Sequence, residues 1–172
     1  MLRRSCILLA ITLLGAISIW AQGKGFVTKP AEGERLLNGG VFIKASPRTG
    51  TQGAEMIWSA MPPGGSAGLH VHHRADEFFY VISGAGVAFV GGKEVPIAAA
   101  DVVFVPKGQE HKLKNSSGTD PLKTIFLLDR PGLANEFRDV HTQSGAGKRS
   151  LTLDELNRIS QKYGTTYKTV AW

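Results

Sequence analysis

The sequence predicts an all-β domain followed by a short helical extension. Many short runs rich in Val, Ile and Phe alternate with turns that contain glycine or proline, a pattern typical of β-sandwiches and barrels. No internal repeat is present, and 172 residues suffice for one domain with its own core but not comfortably for two. We therefore expect a single unit of roughly eight short antiparallel strands.

Residues 1–21 are predicted to be a secretory signal peptide. Met1-Leu2-Arg3-Arg4 is a basic start, and Cys6 to Trp20 is an uncharged apolar run that ends shortly before polar Gln22. This run has 15 residues, whereas a membrane span needs roughly 20. An uncleaved membrane anchor is the alternative, and the arginine pair leaves the twin-arginine route open beside the general secretory route. We expect a periplasmic or secreted bacterial protein that has no membrane contact once the signal is removed.

The composition of the mature chain argues against several classes of function. Loss of Arg3 and Arg4 lowers the formal net charge from +6 to +4, and the remaining Lys and Arg are scattered along the chain. Nucleic-acid binding is therefore not expected. Cys6 is the only cysteine and leaves with the signal, so the mature protein has no disulfide, thiolate nucleophile or sulfur ligand for a metal.

The β region is predicted to extend over residues 41–130. Residues 22–40 are polar and glycine-rich and are interpreted as an N-terminal arm. Gly91-Gly92 predicts a tight turn between two strands of a hairpin. The other runs are ended by proline, glycine or polar residues. The predicted strands are Val41–Ile43, Ala54–Met61, strands within Leu69–Ile82, then Gly84–Val90, Lys93–Ile97, Val102–Val105, Glu110–Asn115 and Leu122–Leu128.

Residues 131–172 are predicted to be a helical extension that packs against the β region. A short helix is expected over Leu133–Val140, followed by a loop rich in Ser, Gly and Lys over His141–Ser150. Thr152 and Glu155 have the spacing of a capping box, which begins a helix, and Gly164 is a typical helix stop. The apolar stripe of this second helix contains Leu153, Leu156, Ile159 and Tyr163.

Three histidines and one glutamate in the β region are candidate metal ligands. His70 and His72 are two residues apart, so on a strand both side chains point to the same face, while His73 points to the other. Glu77 follows a short charged stretch, and His111 comes from a separate strand. Three imidazoles and one carboxylate suit a first-row divalent ion and leave open coordination positions, as catalytic metal sites do. The spacing alone also fits solvent-exposed strand residues, so both interpretations stay open at this point.

Two motifs that contain these residues resemble the signature motifs of the cupin superfamily. The first reads Gly64-x5-His70-x-His72-x4-Glu77-x6-Gly84, and the second reads Pro106-x-Gly108-x2-His111-x3-Asn115. Nine of ten signature positions agree, and the departure is Ala100, where the family usually has glycine. Because alanine is tolerated in most turns, we expect the fold to be unchanged. The similarity to small single-domain cupins of the quercetin-dioxygenase-like type extends over roughly residues 32–163.

The resemblance implies a conical β-barrel of the jelly-roll type, a double-stranded β-helix, with a metal ion inside one end. It implies that His70, His72, Glu77 and His111 bind one divalent transition metal, and Mn, Fe, Co, Ni, Cu and Zn are all compatible with this ligand set.

In function, the resemblance favours a dioxygenase-type oxidoreductase acting on a small enol or flavonoid-like molecule. Glu77 would be a metal ligand or the base that removes a substrate proton. A non-catalytic periplasmic binding protein that holds a small molecule through its metal is the alternative, as is a cupin isomerase or epimerase. A homodimer is compatible with a small cupin of this kind.

Residues that share strand faces with the ligands are candidates to line a substrate pocket. They are Phe79 and Val81, which alternate with Glu77, and Leu113 and Asn115, which alternate with His111. Four large side chains, Met56, Trp58, Met61 and Phe79, fit either a pocket or ordinary core, and core is the expectation. His73 and His141 are expected to be surface residues.

Overall fold

The computed structural model describes residues 24–145 and 147–170, which form a two-sheet jelly roll followed by two helices. The predicted signal peptide lies outside these residues. The strands are β1 (Glu34–Leu36), β2 (Val41–Ala45), β3 (Glu55–Met61), β4 (His70–His72), β5 (Glu77–Ser83), β6 (Ala85–Val90), β7 (Lys93–Ala98), β8 (Val102–Val105), β9 (Glu110–Asn115), β10 (Leu122–Leu128) and β11 (Thr165–Tyr167). The helices are α1 (Leu133–Ser144) and α2 (Leu153–Ser160). Neither helix of the described ranges is long and apolar enough to cross a membrane.

Two antiparallel sheets enclose one hydrophobic core. The first sheet has the strand order β1-β2-β3-β10-β5-β8, and the second has the order β11-β4-β9-β6-β7. The chain passes repeatedly from one sheet to the other, so several pairs of neighbouring strands, such as β3 and β10, are distant in sequence. The all-β architecture with a C-terminal helical extension agrees with the sequence prediction.

Local turn chemistry sets several element boundaries where the sequence predicts them. Gly91 and Gly92 have φ angles of 56° and 83°, the left-handed values that a two-residue hairpin turn requires, and they join β6 to β7. Strands β8, β9 and β10 have the predicted bounds. Thr152 and Glu155 form the predicted capping box at the start of α2, and Gly164 follows the helical segment with φ 84°.

Three elements differ from the prediction. The segment 22–40, interpreted as an arm, contains β1, which pairs with β2. Beyond Gly164 the chain forms β11, which pairs with β4 and extends the second sheet. Helix α1 continues through His141–Ser144 instead of ending at Val140, because those four residues include neither glycine nor proline and the stop comes at Gly145.

Alternate residues of each strand supply the core. In β5 the residues Glu77, Phe79 and Val81 are buried, whereas the residues between them face outward. On the outer side of β5 and β8, four large apolar side chains remain 41–63% exposed. We call this set the outer apolar face; it consists of Phe78, Tyr80, Val102 and Phe104.

Two of the large side chains expected in the core lie instead on the outer side of β3. Met56 is 38% exposed, and Trp58 is half-buried with its ring edge-on to Phe42 at 5.0 Å. The core expectation is therefore wrong for Met56 and Trp58, because the alternation of β3 turns Glu55 and Ile57 inward.

Ala100 occupies the turn between β7 and β8 with φ 75°, in the left-handed region that favours glycine. Its N–H donates to the Val81 carbonyl, which holds the turn against β5. A residue with a Cβ atom adopts this conformation at a cost of about 1–2 kcal/mol. The fold therefore accommodates the departure from the motif, as expected, but with local backbone strain.

Candidate metal centre

Four buried side chains from β4, β5 and β9 meet between the two sheets. His70 and His72 occupy the two ends of β4 and face inward by alternation. β4 pairs with β9 so that His70 lies opposite His111, and Glu77 begins β5 in the other sheet. One ligand atom from each residue lies within 4.8 Å of the others, and the four residues are only 1–8% exposed. The structure thus brings together all four predicted site residues.

The outer nitrogen of each imidazole is held by a hydrogen-bond partner. His70 Nδ1 donates to the Gly68 carbonyl at 2.7 Å, and His111 Nδ1 donates to the Gln109 carbonyl at 3.0 Å. Because a carbonyl oxygen can only accept, both contacts place a proton on Nδ1. In His70 this leaves the Nε2 lone pair free, whereas His111 Nε2 contacts the Glu77 carboxylate. His72 Nδ1 lies 3.0 Å from Thr165 Oγ1, which fits the same tautomer. Fixing Nδ1 in this way is how proteins orient metal-binding imidazoles.

The Glu77 carboxylate lies among the inward-facing nitrogens. Its Oε2 is 2.8 Å from His111 Nε2 and 3.4 Å from His72 Nε2. Burial by itself would raise the pKa of Glu77, but its contacts with His111 and His72 outweigh burial and lower this pKa to about 2. The site therefore holds an ionised carboxylate.

The pKa values of the two histidines of β4 are shifted in opposite directions. Burial lowers the pKa of His72, but the negative Glu77 carboxylate, 3.4 Å from His72 Nε2, outweighs it and raises that pKa above its usual value. The pKa of His70 falls well below its usual value because of burial and the neighbouring His111 and His72 rings. His70 is therefore neutral near pH 7, the form in which an imidazole binds a metal.

This donor set fits a divalent transition-metal ion. His72 Nε2 is buried without a hydrogen-bond partner of good geometry, although it points toward the other donors. Buried polar atoms are normally paired, so an unpartnered ring nitrogen in a cluster of ligand atoms is the condition that a metal ion relieves. Three imidazole nitrogens and one carboxylate oxygen suit first-row divalent ions from Mn to Zn. By contrast, the neighbouring His73 is exposed and contacts Thr166.

An apolar cavity of about 440 Å³ adjoins the cluster. Its described lining includes no Lys, Arg or Asp, and the titratable side chains in it are those of His70, Glu77 and Tyr167. Helices α1 and α2 cover part of it through apolar side chains. The helical extension thus forms part of the cavity wall.

Some of the other residues predicted to line a pocket do line the cavity, whereas the rest have structural roles. Phe79, Leu113 and Met61 line the cavity, whereas Val81 is fully buried in the core. Asn115 is 1% exposed and donates from its side-chain amide to the Met61 and Pro62 carbonyls, so it fixes the chain around the end of β3.

His141 is half-buried rather than a free surface residue. Its Nδ1 accepts a hydrogen bond from the Leu37 N–H at 3.1 Å, which ties α1 to the segment after β1.

Three residues near the cluster were missed by sequence analysis. Tyr167 stacks on the His70 ring at 5.0 Å and lines the cavity, and Thr165 contacts His72. Glu136 of α1 is fully buried and faces the hydroxyls of Thr165, Ser160 and Tyr167 without a hydrogen bond of good geometry. Burial raises the pKa of Glu136, against the opposing effect of Thr165 and His72. The signal available for Thr165 and Tyr167 was the run Thr165-Thr166-Tyr167, whose β-branched and aromatic residues are compatible with a short strand.

Comparison with known proteins places the site within a described family. Residues 57–128 match the family model described as Cupin domain. A segment of 70 residues is 45% identical to the oxalate-binding protein of Thermotoga maritima and covers 40% of this chain and 58% of that protein. A segment of 83 residues is 34% identical to the tetracenomycin polyketide synthase protein TcmJ of Streptomyces glaucescens and covers 48% of this chain and 55% of that one. The chain thus spans little more than half the length of these curated relatives.

Solved structures agree with the sequence comparison. The crystal structure of a predicted oxalate decarboxylase from Thermotoga maritima has a TM-score of 0.50 and 31% identity, with 52% of this chain and 78% of that chain covered. The structure of KdgF from a Halomonas species has a TM-score of 0.55 at 19% identity, with 64% and 99% covered, and shows the shared fold.

Proposed function

Because the chain belongs to the cupin superfamily, we propose that its four clustered side chains bind one divalent transition-metal ion and that the protein is a dioxygenase-type oxidoreductase acting on a small, uncharged organic enol. One observation carries this proposal. Three imidazoles with restrained Nδ1 atoms converge on an ionised Glu77 at the edge of an apolar cavity. His70, His72, Glu77 and His111 would hold the ion and leave open positions toward the cavity.

A bound redox-active ion would supply the Lewis-acid and electron-transfer chemistry that lets O2 react with an organic enolate. In a dioxygenase both atoms of O2 enter the product, so no separate reductant is consumed. The chain contributes the ligand geometry and a cavity whose apolar walls exclude water. Glu77 fits the role of ligand better than that of general base, because a carboxylate with a pKa of about 2 accepts a proton weakly.

The composition of the cavity wall favours an uncharged substrate. Its described lining has no cationic side chain that would pair with a phosphate or a free carboxylate. Isomerase or epimerase chemistry on a sugar-like substrate needs additional charged groups, and the cavity offers Tyr167 as its one titratable side chain besides His70 and Glu77. An uncharged enol would find apolar contacts along Phe79 and Leu113, with its oxygen directed to the metal centre.

The second candidate is a metal-dependent binding protein without turnover. The observation that favours it is the 45% identity to a protein named for binding oxalate. In this chain a small oxyanion would have to be held by the metal itself, since the cavity lacks cationic side chains.

We also propose export to the periplasm or beyond, on the basis of residues 1–21. Cell fractionation with N-terminal sequencing of the purified protein tests this: a mature protein beginning near Gln22 outside the cytoplasm is expected. An intact N-terminus in the cytoplasmic fraction would refute it.

The metal site is tested by mass spectrometric metal analysis of native protein beside the variants H111A and E77A. We expect about one equivalent of Fe, Mn, Co, Ni or Cu per wild-type chain and its loss in both variants. H73A is the matched control, because His73 belongs to the same segment but is exposed and its ring contacts Thr166. A folded wild type without metal would refute the site; equal loss in H73A would refute the ligand assignment.

Turnover is tested by O2 uptake of the metal-loaded protein with two uncharged enols, 3-hydroxyflavone and dibenzoylmethane. Uptake of one O2 per molecule of substrate, absent in H111A, is expected. A raised melting temperature with either compound and no O2 uptake would favour the binding protein instead.

A further inference from the structure

Two hydroxyl groups lie side by side in a mostly apolar part of the cavity wall. Ser59 of β3 and Thr124 of β10 are cross-strand partners, and their Oγ and Oγ1 atoms are 2.8 Å apart. Both face inward and both line the cavity. The inward residues on either side of the pair are apolar: Ile57, Met61, Leu122 and Phe126.

The hydrogen-bonding capacity of this pair is incomplete. Two hydroxyls carry two hydrogens, and only one of these is used in the bond between them. Within the described part of the chain, neither Ser59 nor Thr124 makes another side-chain hydrogen bond. Thr124 is 2% exposed, whereas Ser59 stays partly exposed although it faces inward, because it borders the cavity. The pair therefore presents one unused O–H and free lone pairs to the cavity.

The pair lies at a defined distance from the metal centre. In the pairing of β10 with β5, Leu128 lies opposite Glu77, Phe126 opposite Phe79, and Thr124 opposite Val81. Four residues along β5 separate the row of Glu77 from that of Thr124, which at about 3.3 Å per residue corresponds to about 13 Å. The Phe79 and Phe126 rings, 5.7 Å apart, lie between the two rows. The same cavity extends from the row of Glu77 to the row of Thr124.

From this arrangement we infer that Ser59 and Thr124 form a specificity subsite that binds a hydroxyl or carbonyl group at the end of the ligand remote from the metal centre. The ligand class is then an elongated, uncharged molecule with a flat apolar middle and an oxygen at each end. The inference rests on the proposed function in that the other oxygen faces the metal centre.

If the hydroxyl pair of Ser59 and Thr124 only stabilised the sheet, its removal would have a different effect from removal of a ligand subsite. Hydroxyl pairs between neighbouring strands stabilise sheets, so removal of either group lowers stability whether or not a ligand ever contacts it. Only a subsite changes the preference between two ligands that differ at one end. The test therefore measures a ratio of affinities in addition to stability.

The probes are 4,4′-dihydroxybiphenyl and 4-hydroxy-4′-methylbiphenyl, which differ by a hydroxyl in place of a methyl group of similar size. Calorimetric titration of the metal-loaded protein should show the dihydroxy probe binding roughly 3- to 10-fold more tightly, the effect of one hydrogen bond. The preference should disappear or reverse in S59A and T124V and return in T124S, which keeps the hydroxyl. T124S also keeps the test valid if T124V does not fold.

S66A is the matched control. Ser66 also lines the cavity, but its hydroxyl already contacts the Ala67 and Leu113 carbonyls, so the preference should be unchanged. Equal affinities for both probes in the wild type, or an unchanged preference in S59A and T124V, would overturn the subsite while metal content stays intact. Absence of metal with the preference retained would overturn the proposed metal function instead.

Discussion

Glu77 should stabilise the metal-free protein in a way that depends on pH. The carboxyl is 2% exposed, and its contacts with His111 and His72 hold its pKa at about 2, against 4.5 for an ordinary glutamate. A depressed pKa favours the folded, ionised state by about 3 kcal/mol at neutral pH. This contribution is fully present above pH 4.5 and is lost as the pH falls from 4.5 toward 2. The E77Q variant lacks this stabilising contribution, because the glutamine side chain is uncharged at every pH.

The assay is urea unfolding of chelator-treated protein, followed by tryptophan fluorescence between pH 7 and pH 3. We expect the difference in unfolding free energy between wild type and E77Q to be largest at pH 7 and to shrink steadily below pH 4.5. E94Q is the matched control, because Glu94 lies exposed on β7 and should give no difference at any pH. A difference between wild type and E77Q that is constant over the whole range would refute the reasoning.

Three further predictions concern other parts of the molecule. A100G should raise the unfolding free energy by roughly 0.5–1 kcal/mol, because glycine relieves the left-handed strain at φ 75°; A98G, in a regular strand, should lower it, and a loss of stability in A100G would contradict the assignment. E136Q should become more stable than wild type as the pH rises above 4.5, because the raised pKa of Glu136 makes its ionisation costly in the folded state; a melting-temperature difference that does not change with pH would disprove this. Since the outer apolar face leaves Phe78 and Phe104 41% and 48% exposed, we expect a homodimer through it; sedimentation should show F104K as a monomer, and a monomeric wild type would exclude that interface.

The parts of the fold that follow local rules were predictable from the sequence. The hairpin of β6 and β7 depends on Gly91-Gly92, and the start of α2 depends on Thr152 and Glu155, so a few adjacent residues decide each of them. The convergence of the ligand residues was also expected, since His70 and His72 share a strand face and the motif spacing resembles that of cupins.

Features that depend on long-range pairing were not predictable. β1 and β11 have three residues each, too few for a periodic pattern, and they exist because β2 and β4 offer free edges to pair with. Glu136 appears on an ordinary helical stretch, and nothing local indicates that its carboxyl is enclosed. Met56 and Trp58 are as apolar as core residues, and only the register of β3 turns them outward.

The position of β11 beside β4 has a consequence for how the protein is made. Ribosomes synthesise a chain from its N-terminus, so all four predicted ligand residues exist before Thr165 and Tyr167 do. His72 cannot receive its contact from Thr165, nor His70 its stacked ring from Tyr167, until that late segment has folded back across the second sheet. A nascent chain halted before β11 carries every ligand but lacks two of the supports that orient them. We therefore expect completion of the candidate centre to be a late step of biosynthesis, and a shortened product to hold a metal ion loosely even where its strands have formed.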